Sequence, residues 1–475
     1  MKINKITLMA MAMMIAGIAN AQDFLGYNYS NYQTAGGMIF NPASIAESRY
    51  RVNVNLFSTN IGFTNNAYSV NVNSLVSNID NIKEGRDYSK MHGSGAKNIH
   101  INIDMLAPSF MIDFGKKIGS IGFSSRLRSL VSIDGVESQF IDMLGNASHS
   151  DYLDQRITMK KLRLNVHTFA DAGLTYARTV WETDQHLVKA GVTGKILFGL
   201  GGSSVHIDDL AIKIHPNIDD EQDEIFDEFR GKLTAVYSKN IDQLLMGEID
   251  MENFFDEQVS KSVGFDLGVE YEWYQNGRQP AATTDSTVKR KKKFTPYTVK
   301  VSAAITDIGS LKYKPAENVG SYAFNGENKS VSDLDAPEGV DAFSDYIDYL
   351  KTQGIIADDK DLSTYRMKLP TALRLNVDWN AYKIFYVNAG TILNLTAASS
   401  FAAKYPSQIY ITPRVEFSFG GVYSPVSAGA GNVNWGIGFN VGGFFIGSSS
   451  IISNFVKSNI SAMDIHFGFA VPIKK

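Results

Sequence analysis

One pattern recurs along this chain and narrows its fold more than any other. Apolar and polar residues alternate one for one, over stretches longer than ordinary globular strands, and the polar positions hold full charges. In residues 368–393, Leu369, Thr371, Leu373, Leu375, Val377 and Trp379 fall on one face, with Ala372, Arg374, Asn376, Asp378 and Asn380 on the other. After a turn at residues 380–383, Phe385, Val387 and Ala389 alternate with Tyr386, Asn388 and Gly390. Period two is the signature of a β-strand with one oily and one wet side. In a soluble sandwich the wet side would meet water. In an outer-membrane barrel the oily side meets lipid and the charged side lines the lumen.

Residues 1–21 read as a secretory signal peptide. Lys2 and Lys5 give the positive start, residues 6–18 are apolar and uncharged, and Ala19-Asn20-Ala21 supplies the small residues before cleavage at Gln22. The apolar run is shorter than the roughly 20 residues of a spanning helix. No later segment is apolar over that length, so a helical membrane protein is excluded. Cysteine is absent, which removes disulfides, thiolate metal sites, cysteine nucleophiles and a lipoprotein anchor. Charged residues make up 20% of the chain and the net charge is −4, a balance that offers nucleic acid no attraction.

Alternation predicts strands at residues 51–63, 101–114, 121–131, 162–176, 188–198, 263–273, 297–305, 411–419, 433–445 and 463–471, besides the hairpin above. The phase slips near Leu106, which predicts a bulge or bend at Ala107-Pro108. Another hairpin at residues 205–214 and 233–238 brings the total to about fourteen, within a range of roughly 12 to 16. Connections at 116–117, 182–185 and 380–383 are short, whereas 71–98, 135–160, 201–262 and 312–365 are long. Short and long links alternate, as in barrels with tight periplasmic turns and long outer loops. The link at 278–295 is of middle length and departs from that rule. Residues 22–49 precede the first strand and carry no strand pattern; residues 50–475 form the barrel.

A lipid-facing Arg or Lys at mid-bilayer costs about 2–4 kcal/mol, so the charged positions must turn inward. Arg126, Arg128, Arg163, His167, Asp171, Glu270, Arg374, Asp378, Arg414 and Glu416 are the lumen-lining candidates, with Lys189, Lys195, Asp266, Glu272, Lys300, Asp464 and His466 beside them. Both signs occur in similar numbers, which favours cross-bracing ion pairs over an ion-selective path. The acidic run at 219–224 lacks calcium-loop spacing and reads as a solvated helix face, with Ile225, Phe226 and Phe229 at helical spacing. Residues 341–353 read as an amphipathic helix through Phe343, Tyr346, Ile347 and Leu350, and the five bases at 289–293 as an exposed run. His167 and Asp171 lie about 13 Å apart on an extended strand, too far for contact. Without a nucleophile elbow, phosphate loop or paired histidines, no enzyme, metal or cofactor is expected.

Phe40-Asn41-Pro42-Ala43-Ser44-Ile45-Ala46, just before the first strand, resembles the Asn-Pro-Ala segment of long-chain fatty acid transporter-type outer-membrane barrels. Lys368-Leu369-Pro370-Thr371-Ala372-Leu373-Arg374-Leu375 is similar to the Leu-Pro start of a strand in that superfamily and in its type IX secretion-associated relatives. The Ala-Gln end of the signal and the long inserts look most like a Bacteroidota branch. The resemblance implies an all-β, transmembrane antiparallel β-barrel of about fourteen strands, with an N-terminal plug containing Asn41, Pro42 and Ala43 and long, partly helical extracellular loops. It implies residence in the outer-membrane lipid and passive transport or binding of a small hydrophobic molecule. The charged lumen and large inserts depart from the transporter itself. The alternative is a non-transporting scaffold or adaptor that meets an envelope protein partner in secretion or envelope assembly.

Overall fold

The structure, a computed structural model, describes residues 24–474 apart from 34, 72–85, 92–95, 141–151, 218–222, 239–259, 279–294, 338–339, 341–342, 363, 398, 430 and 457–459. The signal segment, most of the acidic run and the bases at 289–293 lie outside the described residues. The alternation resolves into fourteen wall strands. Five come first: β1 (Tyr50–Asn65), β2 (Lys97–Leu106 continued by Ser109–Asp113), β3 (Ser120–Val136), β4 (Ile157–Glu182) and β5 (His186–Pro216). Next are β6 (Ser260–Trp273), β7 (Val299–Tyr313), β8 (Tyr365–Lys368 continued by Ala372–Tyr382), β9 (Phe385–Asn394) and β10 (Gln408–Glu416). The last four are β11 (Gly420–Tyr423 and Val426–Gly429), β12 (Asn432–Trp435 and Ile437–Val441), β13 (Phe444–Ser448) and β14 (Ala462–Lys474).

Each wall strand pairs antiparallel with its neighbours in chain order. β14 then returns to β1, with Tyr50 opposite Lys474 and Thr64 opposite Ala462, while the other edge of β1 holds β2. The sheet is closed, so every wall strand has a neighbour on each side, the condition for crossing lipid with strands. Leu174, Val192, Val263, Leu375, Val377, Ile411 and Phe439 point out and are exposed, and the residues between them are buried inside. Trp181, Trp379, Tyr382, Phe417 and Phe419 stand exposed near the short-turn end, where an interfacial aromatic girdle belongs.

Four expectations change. The stretch 433–445 is two strands, because Gly442 (φ 62°) and Gly443 turn the chain so tightly that a Cβ on Gly443 would run into the carbonyl of Ala470. β11 has its own place after the turn at 417–419, although its short pieces show little alternation. Leu369 is fully buried rather than facing lipid, because the chain leaves the ladder at Pro370 and changes phase there. Glu224–Tyr237 is a strand, not a helix, and it pairs with the far half of β5, so residues 205–214 and 233–238 add no hairpin to the wall.

β4 and β5 are 26 and 31 residues long, and at about 3.3 Å per residue they far outrun a bilayer. Beyond the wall they form a sheet with Glu224–Tyr237, Gly320–Asn325 and Ile356–Asp361. Helix α1 (Phe343–Thr352) packs Ile347 and Leu350 against Met159, Leu210, Phe226, Phe229 and Tyr322 of that sheet. The long links therefore carry a small folded unit of their own at one end of the barrel.

Candidate functional site

Inside the wall, the described residues of 24–46 are buried almost throughout. Two short 3-10 turns, Ala35–Ile39 and Pro42–Ile45, fold the segment back on itself. Asn41 caps the second, its Oδ1 accepting from Ala43 N at 2.9 Å, while its Nδ2 donates to the wall carbonyl of Val269 at 3.1 Å. Pro42 occupies the first helical position, where its missing N–H is no loss. The wall is cut away to receive this turn. A Cβ on Gly191 of β5 would lie 2.5 Å from the Pro42 carbonyl carbon, and one on Gly268 of β6 would run into Asn41 Oδ1. Elsewhere Ala35 N donates to Asn53 Oδ1 at 2.7 Å, and Asn31 gives both N and Nδ2 to Glu416, at 3.0 and 2.7 Å.

The lumen candidates divide into two ionic groups. Level with the N-terminal segment, Arg414 grips Asp378 through Nη1 and Nη2 at 2.5 and 2.6 Å and Glu416 through Nε at 2.8 Å. Tyr297 donates its hydroxyl to the same Asp378. Lys189 joins Glu270 at 3.0 Å and Glu272 at 2.6 Å. Arg374 donates to Thr306 at 3.3 Å and lies 5.4 Å from the Phe40 ring centre. Higher up, Arg128 reaches Asp171 at 2.7 Å and Asp307 at 2.8 Å, and Lys195 reaches Asp266 at 2.7 Å and Asp307 at 2.8 Å. Arg126 is paired with Asp104.

Arg163 stands apart, 2.5 Å from Asp208 near the long-loop end. His167 joins no ion pair among the described residues; its Nε2 lies 3.1 Å from the hydroxyl of Tyr313. Above the ionic groups Leu130, Phe169, Leu197, Leu311, Tyr313, Tyr365 and Met367 pack the lumen with apolar and aromatic side chains. Asp307 was not foreseen, because it follows the alternating part of β7 with a left-handed backbone (φ 61°) that breaks the face rule. The seat glycines were equally hidden, since an inward glycine looks like any other small residue.

Between the N-terminal segment and the wall lies a small recess with room for about one water, lined chiefly by Phe24, Tyr27, Ile39, Phe40, Leu106 and Phe445, with Asn28, Gln33 and Ser58 contributing polar atoms. Leu106 is the last residue of the first half of β2. The chain breaks there at Ala107-Pro108, where Ser125 Oγ donates to the Pro108 carbonyl at 2.9 Å and Asn55 Nδ2 to the Leu106 carbonyl at 3.4 Å. The expected phase slip is thus a bend still held by β1 and β3. Among the described residues, no cluster of His, Asp and Glu could hold a metal ion.

Among solved structures the chain is similar to a TodX monoaromatic hydrocarbon channel lacking S2 and S3, at 9% identity over 91% of this chain and 93% of that one, with a TM-score of 0.38. It is similar to the CymD monoaromatic hydrocarbon channel at 10% identity over 97% and 98%, TM-score 0.26. A FadL homologue of Pseudomonas aeruginosa matches at 7% identity over 95% and 97%, TM-score 0.23. Likeness at this level says nothing of what this chain binds. No curated protein matches it. The model of a family of unknown function, DUF5723, matches residues 42–449. That match runs from the proline of the buried turn to the serine after β13, most of the chain, and the protein belongs to the DUF5723 family.

Proposed function

We infer that this protein is an outer-membrane barrel that binds a small hydrophobic molecule between an N-terminal plug and the wall and lets it pass by displacement of that plug. The observation that carries this reading is the apolar recess, which meets the bend at Ala107-Pro108 on one side and the N-terminal segment on the other. As it stands the recess has room for about one water, so a ligand must push Phe24 and Tyr27 aside. The plug role of residues 22–49, with Asn41, Pro42 and Ala43 as its seat, is supported by the fitted glycines. Arg126, Arg128, Asp171, Glu270, Asp378, Arg414 and Glu416 brace the lumen in this reading rather than conduct ions. Residues 1–21 direct export, and the resemblance to a Bacteroidota branch goes with it.

A second reading, a scaffold or adaptor for an envelope partner, is favoured by the folded unit carried on β4 and β5. Native mass spectrometry of protein purified from its own membrane, with planar-bilayer recording, separates the two. Copurified lipid or hydrocarbon released from a partner-free protein supports transport. A stable protein complex around an empty lumen overturns it.

A further inference from the structure

Next to the recess, the inner face of β14, β1 and β2 carries polar side chains in strict register. Asn60 lies opposite Asp104 on one side and His466 on the other. One inward step further from the short-turn end, Gly62 lies between Asn102 and Asp464. The ionisable members are already engaged. Asp104 holds Arg126. Asp464 accepts from Ser449 N at 2.7 Å, Ser450 Oγ at 2.9 Å and Ser448 Oγ at 3.1 Å. His466 Nε2 stands 2.9 Å from the Tyr423 hydroxyl.

The two amides are different. Asn60 and Asn102 are 0% and 1% exposed, and neither the nitrogen nor the oxygen of either side chain has a hydrogen-bond partner among the described residues. Buried amides are nearly always paired, so two neighbouring ones with every valence open mark a place where a partner from outside the chain belongs. The patch and the recess are adjacent. Ser58, which lines the recess, is the inward position next to Asn60, about 7 Å along the strand. The His466 ring centre lies 6.0 Å from that of Phe24 and 6.5 Å from that of Phe445, both recess residues.

We propose that recess and patch form one site for a neutral amphiphile. Its apolar tail lies among Phe24, Tyr27, Ile39, Phe40, Leu106 and Phe445, and its head, a hydroxyl or carboxamide that both donates and accepts, bonds Asn60 and Asn102. The proposal rests on the reading above that a small hydrophobic molecule is bound, and it adds the chemistry of the head. An anionic head is disfavoured by Asp464, which among the described residues pairs with no Lys or Arg and, of basic groups, meets only His466 Nδ1 at 3.4 Å, whereas Asp104 is compensated by Arg126. A bare hydrocarbon leaves the amides as they are. Entry of the tail displaces Phe24 and Tyr27, and the head then supplies the missing bonds.

The test is equilibrium dialysis of radiolabelled decan-1-ol, decanoate and decane against the full chain in detergent at pH 7.5, each corrected for uptake by protein-free micelles. Decan-1-ol should bind about tenfold more tightly than the other two, the worth of one or two net hydrogen bonds. In Asn60→Leu/Asn102→Leu that preference should vanish while decane binding stays. Decanoate binding as well as decan-1-ol, or a preference that survives in the variant, overturns the head assignment. If the amides serve bound water only, decan-1-ol and decane bind alike, which overturns it too. In these cases decane binding still upholds the hydrophobic-ligand reading. Binding of none of the three overturns both. The probe comparison on the unaltered chain stands even if the variant does not fold.

Discussion

Replacing Gly268 by valine would unseat the N-terminal segment without altering any of its own residues. The new Cβ runs into Asn41 Oδ1 and comes within 2.9 Å of Pro42 Cδ. Neither atom is the loose end of a flexible chain, since Asn41 is fixed at both ends, to Ala43 N at 2.9 Å and to the Val269 carbonyl at 3.1 Å. Overpacking of this kind costs about 1–3 kcal/mol, and losing the cap at Asn41 adds about 1 kcal/mol. Together, about 3 kcal/mol raises the population with the segment out roughly 150-fold. The chain has no cysteine, so Ser44→Cys, at a buried position of that segment, gives a single reporter. Its labelling by a water-soluble maleimide follows the open population when closing outpaces labelling. The expectation is a rise of roughly two orders of magnitude over the Ser44→Cys parent, with the barrel still heat-modifiable on gels. A rate within about threefold of the parent in a folded barrel refutes the idea that the glycine seat holds the N-terminal segment in place.

Arg414→Met strips the cation from Asp378 and Glu416; removing one partner of a buried pair costs about 3–5 kcal/mol, read as a lower urea midpoint, and Asp378→Leu in the same chain should recover much of it. Val377→Arg places a cation on the lipid face and should cost about 2–4 kcal/mol, seen as a loss of refolding into liposomes. In the long-loop unit, a hydrogen bond from Lys213 holds Asp227 below the usual carboxylate range, and one from Arg156 does the same for Glu228. The unfolded chain therefore binds protons first as pH falls. This contribution is full above the ordinary carboxylate pKa and is lost as pH drops through the lowered folded values. Hydrogen exchange across Glu224–Tyr237, corrected for intrinsic rate, should quicken at pH 3 relative to pH 7, and unchanged protection would count against these pairs.

Strand existence was legible wherever a strand meets lipid on one side and the lumen on the other, because that asymmetry writes period two into the residues. It failed where the asymmetry ends. Leu369 left the pattern at Pro370, and the sheet beyond the membrane buries Phe226 and Phe229 under a helix, so their spacing mimicked another helix. The expected strand number agreed with the structure partly by compensation: a hairpin at 205–238 stood in for β11 and β13. For the site, inward charges such as Arg128 and Arg414 could be named from one strand at a time. Their partners could not, since Asp307 meets Arg128 only once the barrel has closed. Unpaired amides are still less visible, because Asn60 and Asn102 look like any polar residue until every neighbour is known.

The seam between β1 and β14 joins Tyr50 to Lys474, whereas the other wall strands pair with neighbours in sequence order. Assembly can thus proceed as a series of local hairpins, each closing a modest loop, and the large loop-closure entropy falls on one final event. Until that event both terminal strands present unpaired backbone, the geometry that templates strand addition. A chain cut short before Ala462 would keep nearly all its hairpins and still have no closed wall. Its β1 edge would then be free to recruit another chain, so truncation near the C-terminus should appear as aggregation at the membrane surface rather than as a smaller pore.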